Sequence, residues 1–188
     1  GGLNTPAILY GAHEAFRSVD LIKAANVPVI VNVKWPVKER DADPEIKDTY
    51  RTMETRDRAP SSPVELAKAG VPFAFTSDGL DSPAELVRAV KKSIDAGLKK
   101  EDAIAALTIN AARIYSLDRR IGSIEPGKIA NLAVVKGDLF DSSSKVEMVF
   151  IDGVKYAPAP EAPAPAGGAP GAGRRPGDSA QINEEVNR

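Results

Sequence analysis

Two side chains in this sequence stand where they could do acid–base or metal chemistry. Asp78 sits in Thr76-Ser77-Asp78-Gly79, directly past the apolar run Val71–Thr76. His13, the single histidine, sits in Ala12-His13-Glu14-Ala15, past the run Pro6–Tyr10. A carboxylate can ligate a divalent cation or take a proton, and an imidazole can do either near neutral pH. Each has a plainer reading. Asp78 can simply cap the turn before Ser82, since Asp is common in turns. His13 can be a polar residue near a helix start, satisfied by water or backbone. Glu14 is either a partner of His13 or a favourable first-turn acid. Trp35 follows another apolar run and either lines a pocket rim or packs. Lys34 reads best as a solvated loop lysine.

The elements that would position these residues alternate. Pro6–Tyr10 reads as a strand, and Phe16, Val19, Leu21 and Ile22 as the apolar face of a helix ending near Asn26. Val27–Val33 is a nearly unbroken apolar strand of the kind covered on both faces in parallel sheets. After a charged loop, Asp43-Pro44 reads as a helix start, with Ile46, Tyr50 and Met53 on its core face. Ser62-Pro63-Val64-Glu65 and Ser82-Pro83-Ala84-Glu85 both read as capping boxes, closed by Gly70 and Gly97. Leu86, Val87, Val90 and Ile94 form the buried face of the second helix. Strands alternating with helices imply a parallel sheet, whose C-terminal strand ends are where ligands and chemistry gather.

The stretch Leu107–Val135 carries the most specific pattern. It opens as the end of an amphipathic helix with Ile104, Leu107, Ala111 and Ile114 at helical spacing. A short strand at Ile121–Ile124 follows, then a type II turn at Glu125-Pro126-Gly127-Lys128, then a strand at Ala130–Val135. Val146–Ile151 and Val154–Tyr156 are strands joined by the hairpin signal Asp152-Gly153.

Thr108-x-Asn110-Ala111-Ala112, followed by Gly122-Ser123-Ile124-Glu125-Pro126-Gly127-Lys128-x-Ala130-Asn131-Leu132, resembles the C-terminal signature of the amidohydrolase superfamily, which includes imidazolonepropionase-like metal-dependent hydrolases. Asn131 stands where that signature usually has Asp. The resemblance implies an α/β fold: the C-terminal part of a (β/α)8 TIM barrel, about strands six to eight, then part of a small β-sandwich. The expected division is 1–117 barrel, 118–156 sandwich segment and 157–188 a disordered tail rich in Ala, Pro and Gly. It implies hydrolysis of a non-peptide C–N bond in a cyclic amide or similar small molecule, by water activated on a divalent metal, zinc being the expectation. Asp78 would then be the carboxylate after the eighth strand, a metal ligand or proton relay, and His13 would align loosely with the ligand histidine after the sixth. The superfamily's upstream His-x-His, its bridging lysine and its histidine after the fifth strand have no counterparts here. The chain therefore reads as the C-terminal portion of a longer enzyme, inactive by itself; the alternative is a non-catalytic barrel relative serving in binding or assembly.

The whole-chain quantities fit that reading. The 188 residues carry 25 Lys and Arg against 26 Asp and Glu, so no charge field points to nucleic acid or an anionic membrane. There is no cysteine, which excludes disulfides and thiolate metal sites. No apolar run approaches the ~18 residues of a membrane span, and no secretory leader is visible. A soluble protein of cytoplasm or periplasm is expected, whose parent could be a homo-oligomer. The Gly-Gly start without Met reads as a start inside a longer protein, or as a processed or cloned boundary.

Overall fold

Val29, Ile30 and Val31 are all buried, and this decides where their strand sits. A strand with no polar face must be covered on both sides. In the computed structural model, which describes residues 7–38, 41, 45 and 47–156 (for 83 and 84 the backbone alone), it is the central strand of three. Strand β1 (Leu9–Gly11), β2 (Val29–Asn32) and β3 (Phe73–Thr76) pair in parallel in the order β1-β2-β3. The register sets Tyr10 beside Ile30, and Asn32 beside Thr76.

A 3-10 turn (Ala15–Arg17) and α1 (Val19–Ala25) link β1 to β2; α2 (Tyr50–Arg58) and α3 (Ser62–Ala69) precede β3. Then come α4 (Pro83–Asp95), α5 (Lys100–Leu107) and α6 (Ile109–Ile114). The core gathers β2 and β3 with Leu66, Val90, Ala103 and Ala106 from the helices, Leu98 from the loop between α4 and α5, and Phe140 from beyond them. Leu66 and Val90 are fully buried, as a continuous core stripe requires. Asn26 (φ 51°) and Gly70 (φ 71°) end α1 and α3 in the left-handed conformation, as the sequence expected of both positions.

A second, antiparallel sheet of β4 (Leu132–Lys136), β5 (Lys145–Ile151) and β6 (Val154–Tyr156) follows, with a register break between Val134 and Val135. Asp152 (φ 50°) and Gly153 (φ 81°) both have positive φ, the two-residue turn the Asp-Gly pair announced. The architecture is thus mixed α/β: a parallel sheet with helices, then an antiparallel sheet.

Several local expectations are corrected. Ile121–Ile124 is not a strand: Gly122 takes φ 94° and the chain turns there. The single helix expected through Leu107 is two, broken at Thr108, whose hydroxyl donates to the Ile104 carbonyl (2.7 Å). A threonine bonding four residues back competes with the helical ladder in this way. Tyr50 and Met53 are 76% and 51% exposed rather than core contacts. Helix α2 is tied down by charge instead: Arg51 to Glu14 and Arg17 to Glu54, each at 2.7 Å. It starts at Tyr50, capped by Thr49, whose Oγ1 accepts the Thr52 N–H (3.1 Å); the expected start at 43–44 lies outside the described residues. Leu21 is exposed, and Ile22 alone of α1 is buried.

Neither serine caps its helix through its side chain. Ser62 lies one residue inside α3 and turns its hydroxyl to the loop after β1. Before α4, Glu85 Oε2 reaches back to the Asp81 N–H (3.2 Å). The expected tail, 157–188, and Pro6 of the first expected strand lie outside the described residues.

Candidate functional site at the ends of the parallel strands

Parallel pairing brings the C-terminal ends of β1, β2 and β3 to one edge, and four polar side chains meet there. Tyr10 leaves β1 with its hydroxyl donating to Asp78 Oδ2 at 3.1 Å. The same hydroxyl lies 3.4 Å from Thr76 Oγ1. Asn32, last residue of β2, donates from Nδ2 to the Asp78 backbone carbonyl (3.2 Å). Its Oδ1 accepts the Lys34 N–H (2.7 Å), so one amide ties the exit of its own strand to the turn after β3. Thr76 Oγ1 accepts the Asp78 N–H (3.3 Å). Asp78 is therefore held through its N–H, its carbonyl and one carboxylate oxygen. Among the described residues, no hydrogen bond reaches Oδ1.

Lys34 covers the turn beyond Asp78. A Cβ placed on Gly79 (φ 76°) would lie 3.0 Å from Lys34 Cδ and 3.6 Å from its Nζ. A bare backbone at 79 thus lets the lysine pass close to the carboxylate-bearing turn, and the positive φ suits glycine independently.

His13 keeps other company. Its carbonyl accepts the Ser62 hydroxyl (2.8 Å), and its ring lies 6.0 Å from that of Trp35, tilted by 56°. Its Nε2 is buried without a hydrogen-bond partner among the described residues. Leu9, Ala12, Ser18 and Ile22 line a hollow beside it. Neighbouring Glu14 accepts from Arg51 Nη2 and Thr55 Oγ1, both at 2.7 Å. The Arg51 guanidinium first, and the Thr55 hydroxyl second, hold its carboxyl below the usual glutamate range. Trp35 is buried, its Nε1 donating to the Ala89 carbonyl (2.9 Å), which is the packing reading of that ring.

Asp78 lies just past β3, at the strand ends to which the sequence pointed. Sequence reasoning missed Tyr10 and Asn32 as partners of Asp78. Tyr10 closes one apolar run and Asn32 interrupts another one residue before its end, a signal that could have singled them out once the strands were known to be parallel.

The parallel sheet, its edge of polar residues and the turn signature after α6 define a class. The Amidohydrolase family model matches residues 2–155, and the chain belongs to that family. Among solved structures it is similar to an amidohydrolase from Thermotoga maritima MSB8, with TM-score 0.61 and 33% identity over 79% of this chain and 36% of that one. A Xaa-Pro dipeptidase with bound methionine shares the fold at TM-score 0.61 and 20% identity, covering 80% of this chain and 39% of that one. Adenine deaminase of Mesorhizobium japonicum is 41% identical over 70 residues, 37% of this chain and 11% of that enzyme. Adenine deaminase of Clostridium botulinum (strain Loch Maree) is 35% identical over 82 residues, 44% of this chain and 12% of that enzyme. The matched stretches thus span about an eighth or less of these curated relatives.

The family is generally metal-dependent. A catalytic zinc ordinarily takes three protein ligands. Among the described residues no three His, Cys, Asp or Glu side chains converge. The ring of His13 packs beside Trp35, while Asp78 bonds Tyr10. The described residues of this chain do not by themselves fit a metal.

Proposed function

We propose that this chain is the C-terminal portion of an amidohydrolase that hydrolyses a non-peptide C–N bond in a small molecule. In this reading β1, β2 and β3 are strands six to eight of a (β/α)8 barrel, of which 1–117 is the C-terminal part. Residues 118–156 contribute to a β-sandwich. The divalent metal of the parent, zinc on the family resemblance, would be held by residues outside this chain. The relatives named adenine deaminase extend the substrate class from cyclic amides to amino groups on purine-like rings.

The observation that carries the reading is the position of Asp78: a carboxylate at the C-terminal edge of parallel strands, fixed at three points, with Oδ1 left for a ligand. A fixed carboxylate can take the proton of an attacking water and return it to the departing nitrogen as the C–O bond forms and the C–N bond breaks. Tyr10, donating to Oδ2, orients the carboxylate. Asn32 keeps the turn in register with β2.

The test is hydrolysis of adenine, cyclic amides and imides by the protein as encoded in full, with Asp78→Asn alongside. Removing a general acid–base group costs about 10²–10⁴-fold in rate. That loss at unchanged melting temperature supports the reading; an Asp78→Asn protein of undiminished rate refutes it.

A second reading is a non-catalytic relative that binds rather than hydrolyses, since among the described residues no three metal-type donors converge. It predicts no turnover by the full protein on the whole panel, with Asp78→Asn altering ligand binding alone.

A further inference from the structure

Lys34 leaves the end of β2 on a backbone that Asn32 holds: the Asn32 Oδ1 accepts the Lys34 N–H (2.7 Å), and its Nδ2 donates to the Asp78 carbonyl (3.2 Å). The side chain then crosses the bare backbone of Gly79, one residue past Asp78, with Nζ 3.6 Å from where a β-carbon would stand. Among the described residues no carboxylate pairs with that ammonium. A hollow of about 320 Å³ lies between the exit of β2 and α4, with buried Trp35 and Ala89 in its wall. Arg88 and Lys92 of α4 line it together with Lys34, and they too have no ion-pair partner among the described residues. Their spacing of four residues puts two like charges on one helix face, which destabilises a helix. Lys91, one position away, is paired with Asp95 at that same spacing (2.7 Å). The one acid on the hollow, Glu85, accepts the Asp81 N–H with Oε2 (3.2 Å). Three cations against one carboxylate, beside a buried apolar wall, make a local positive field.

We propose that this hollow binds an oxyanion, a carboxylate or phosphate group, and that Lys34 thereby places the acidic end of the substrate beside the Asp78 turn. An ammonium serves either oxyanion as a compact point charge, and the Arg88 guanidinium adds paired N–H donors. The assignment to the substrate rests on the hydrolytic reading, whereas the oxyanion site itself does not. The preferred substrate class is then a small molecule that carries an acidic group near its scissile C–N bond, such as a cyclic amide bearing a carboxylate.

The test uses the protein as encoded in full, with inorganic phosphate as the probe and calorimetry at physiological ionic strength as the readout. Lys34→Gln/Arg88→Gln/Lys92→Gln should weaken phosphate binding by about tenfold or more. Lys136→Gln/Lys145→Gln/Lys155→Gln removes the same charge from β4, β5 and β6. Salt screens such remote charges, so the affinity should stay within about twofold. Equal losses in the two triple variants would mean general charge attraction, an adventitious ion only, and would overturn the proposal. So would a wild type that binds no phosphate, its three cations then being met by other groups of the full protein. Two kinetic measurements assign the anion to the substrate. Phosphate should inhibit turnover competitively, and Lys34→Gln should lower the preference for a carboxylate-bearing cyclic amide over its neutral counterpart by about tenfold, through KM. Phosphate that binds without competing belongs to a separate effector and overturns the assignment to the substrate. Absence of turnover on the whole panel sinks the hydrolytic reading instead, and the calorimetry still decides the oxyanion site.

Discussion

Ser62 joins α3 to the loop that follows β1. Its hydroxyl donates to the His13 carbonyl (2.8 Å) and accepts the Phe16 N–H (3.2 Å), although the residues lie 49 and 46 positions apart. The side chain is fully buried. It completes two backbone groups that a tight loop cannot pair within itself, and so fixes the route of the chain through His13 and Glu14.

Ser62→Ala leaves both backbone groups without that partner. An unsatisfied buried polar group costs about 1–3 kcal/mol, and a loss in that range is expected. Urea unfolding of the full protein measures it. A loss below about 0.5 kcal/mol would mean that water replaces the hydroxyl without penalty.

Leu66, one turn further along α3, is fully buried in the main core. Leu66→Ala should cost about 2–5 kcal/mol, from lost burial and the cavity left behind. Because the two sites share a helix, the Ser62→Ala/Leu66→Ala double variant reports whether α3 docks as a unit: coupling above about 0.5 kcal/mol says that it does.

Gly122 opens the turn signature and shows why glycine stands there. A Cβ would lie 2.7 Å from Ala112 Cβ, 3.0 Å from Ile109 Cα and 3.3 Å from the Thr108 carbonyl oxygen, at φ +94°. Gly122→Ala combines left-handed strain with a clash against α6 that backbone cannot yield cheaply. A destabilisation of about 2 kcal/mol or more is expected from the two costs together. Gly127→Ala, also at positive φ (+88°) but with open space around the new carbon, should cost less. Equal melting temperatures for the two variants would contradict the close approach.

Glu14 makes the docking of α2 sensitive to acid. Its carboxyl is held below the usual glutamate range, chiefly by Arg51 and then by Thr55. A depressed folded-state value means that the stabilisation is present above the unfolded glutamate value, near 4.3, and is lost as pH falls through the folded one. Hydrogen exchange in Tyr50–Arg58 should therefore accelerate over that acid window beyond the intrinsic trend. Glu14→Gln should show the faster exchange already at neutral pH, with its acid-dependent component gone.

How much of this was legible depends on range along the chain. The apolar run containing Val29–Val31 declared a doubly covered parallel strand, and Asp152-Gly153 declared its hairpin, because both signals are local. Tyr50 and Met53 misled because α2 is fastened through Glu14, Arg17, Arg51 and Glu54, and helical spacing says nothing about partners from another element. Gly122 misled in the opposite sense: an apolar-flanked segment looked like a strand until α6 was placed against it. For the site, Asp78 stood out through its motif. Tyr10 lies 68 residues away, and only the β1-β2-β3 register brings it to Asp78.

Asn131 gives the antiparallel sheet a property of its own. Its Oδ1 accepts the Asp152 N–H (2.8 Å), and the Ala130 carbonyl accepts the Gly153 N–H (3.1 Å), so the tip of the hairpin is pinned back onto the chain just before β4. An amide oxygen makes that bond at any physiological acidity, since it has no proton to gain. An aspartate, the usual occupant of this place in the superfamily signature, would make a stronger bond while ionised and surrender it on protonation. This chain has exchanged strength for indifference to pH: the clasp on its hairpin stays shut in acid that loosens the carboxylate-held helix α2.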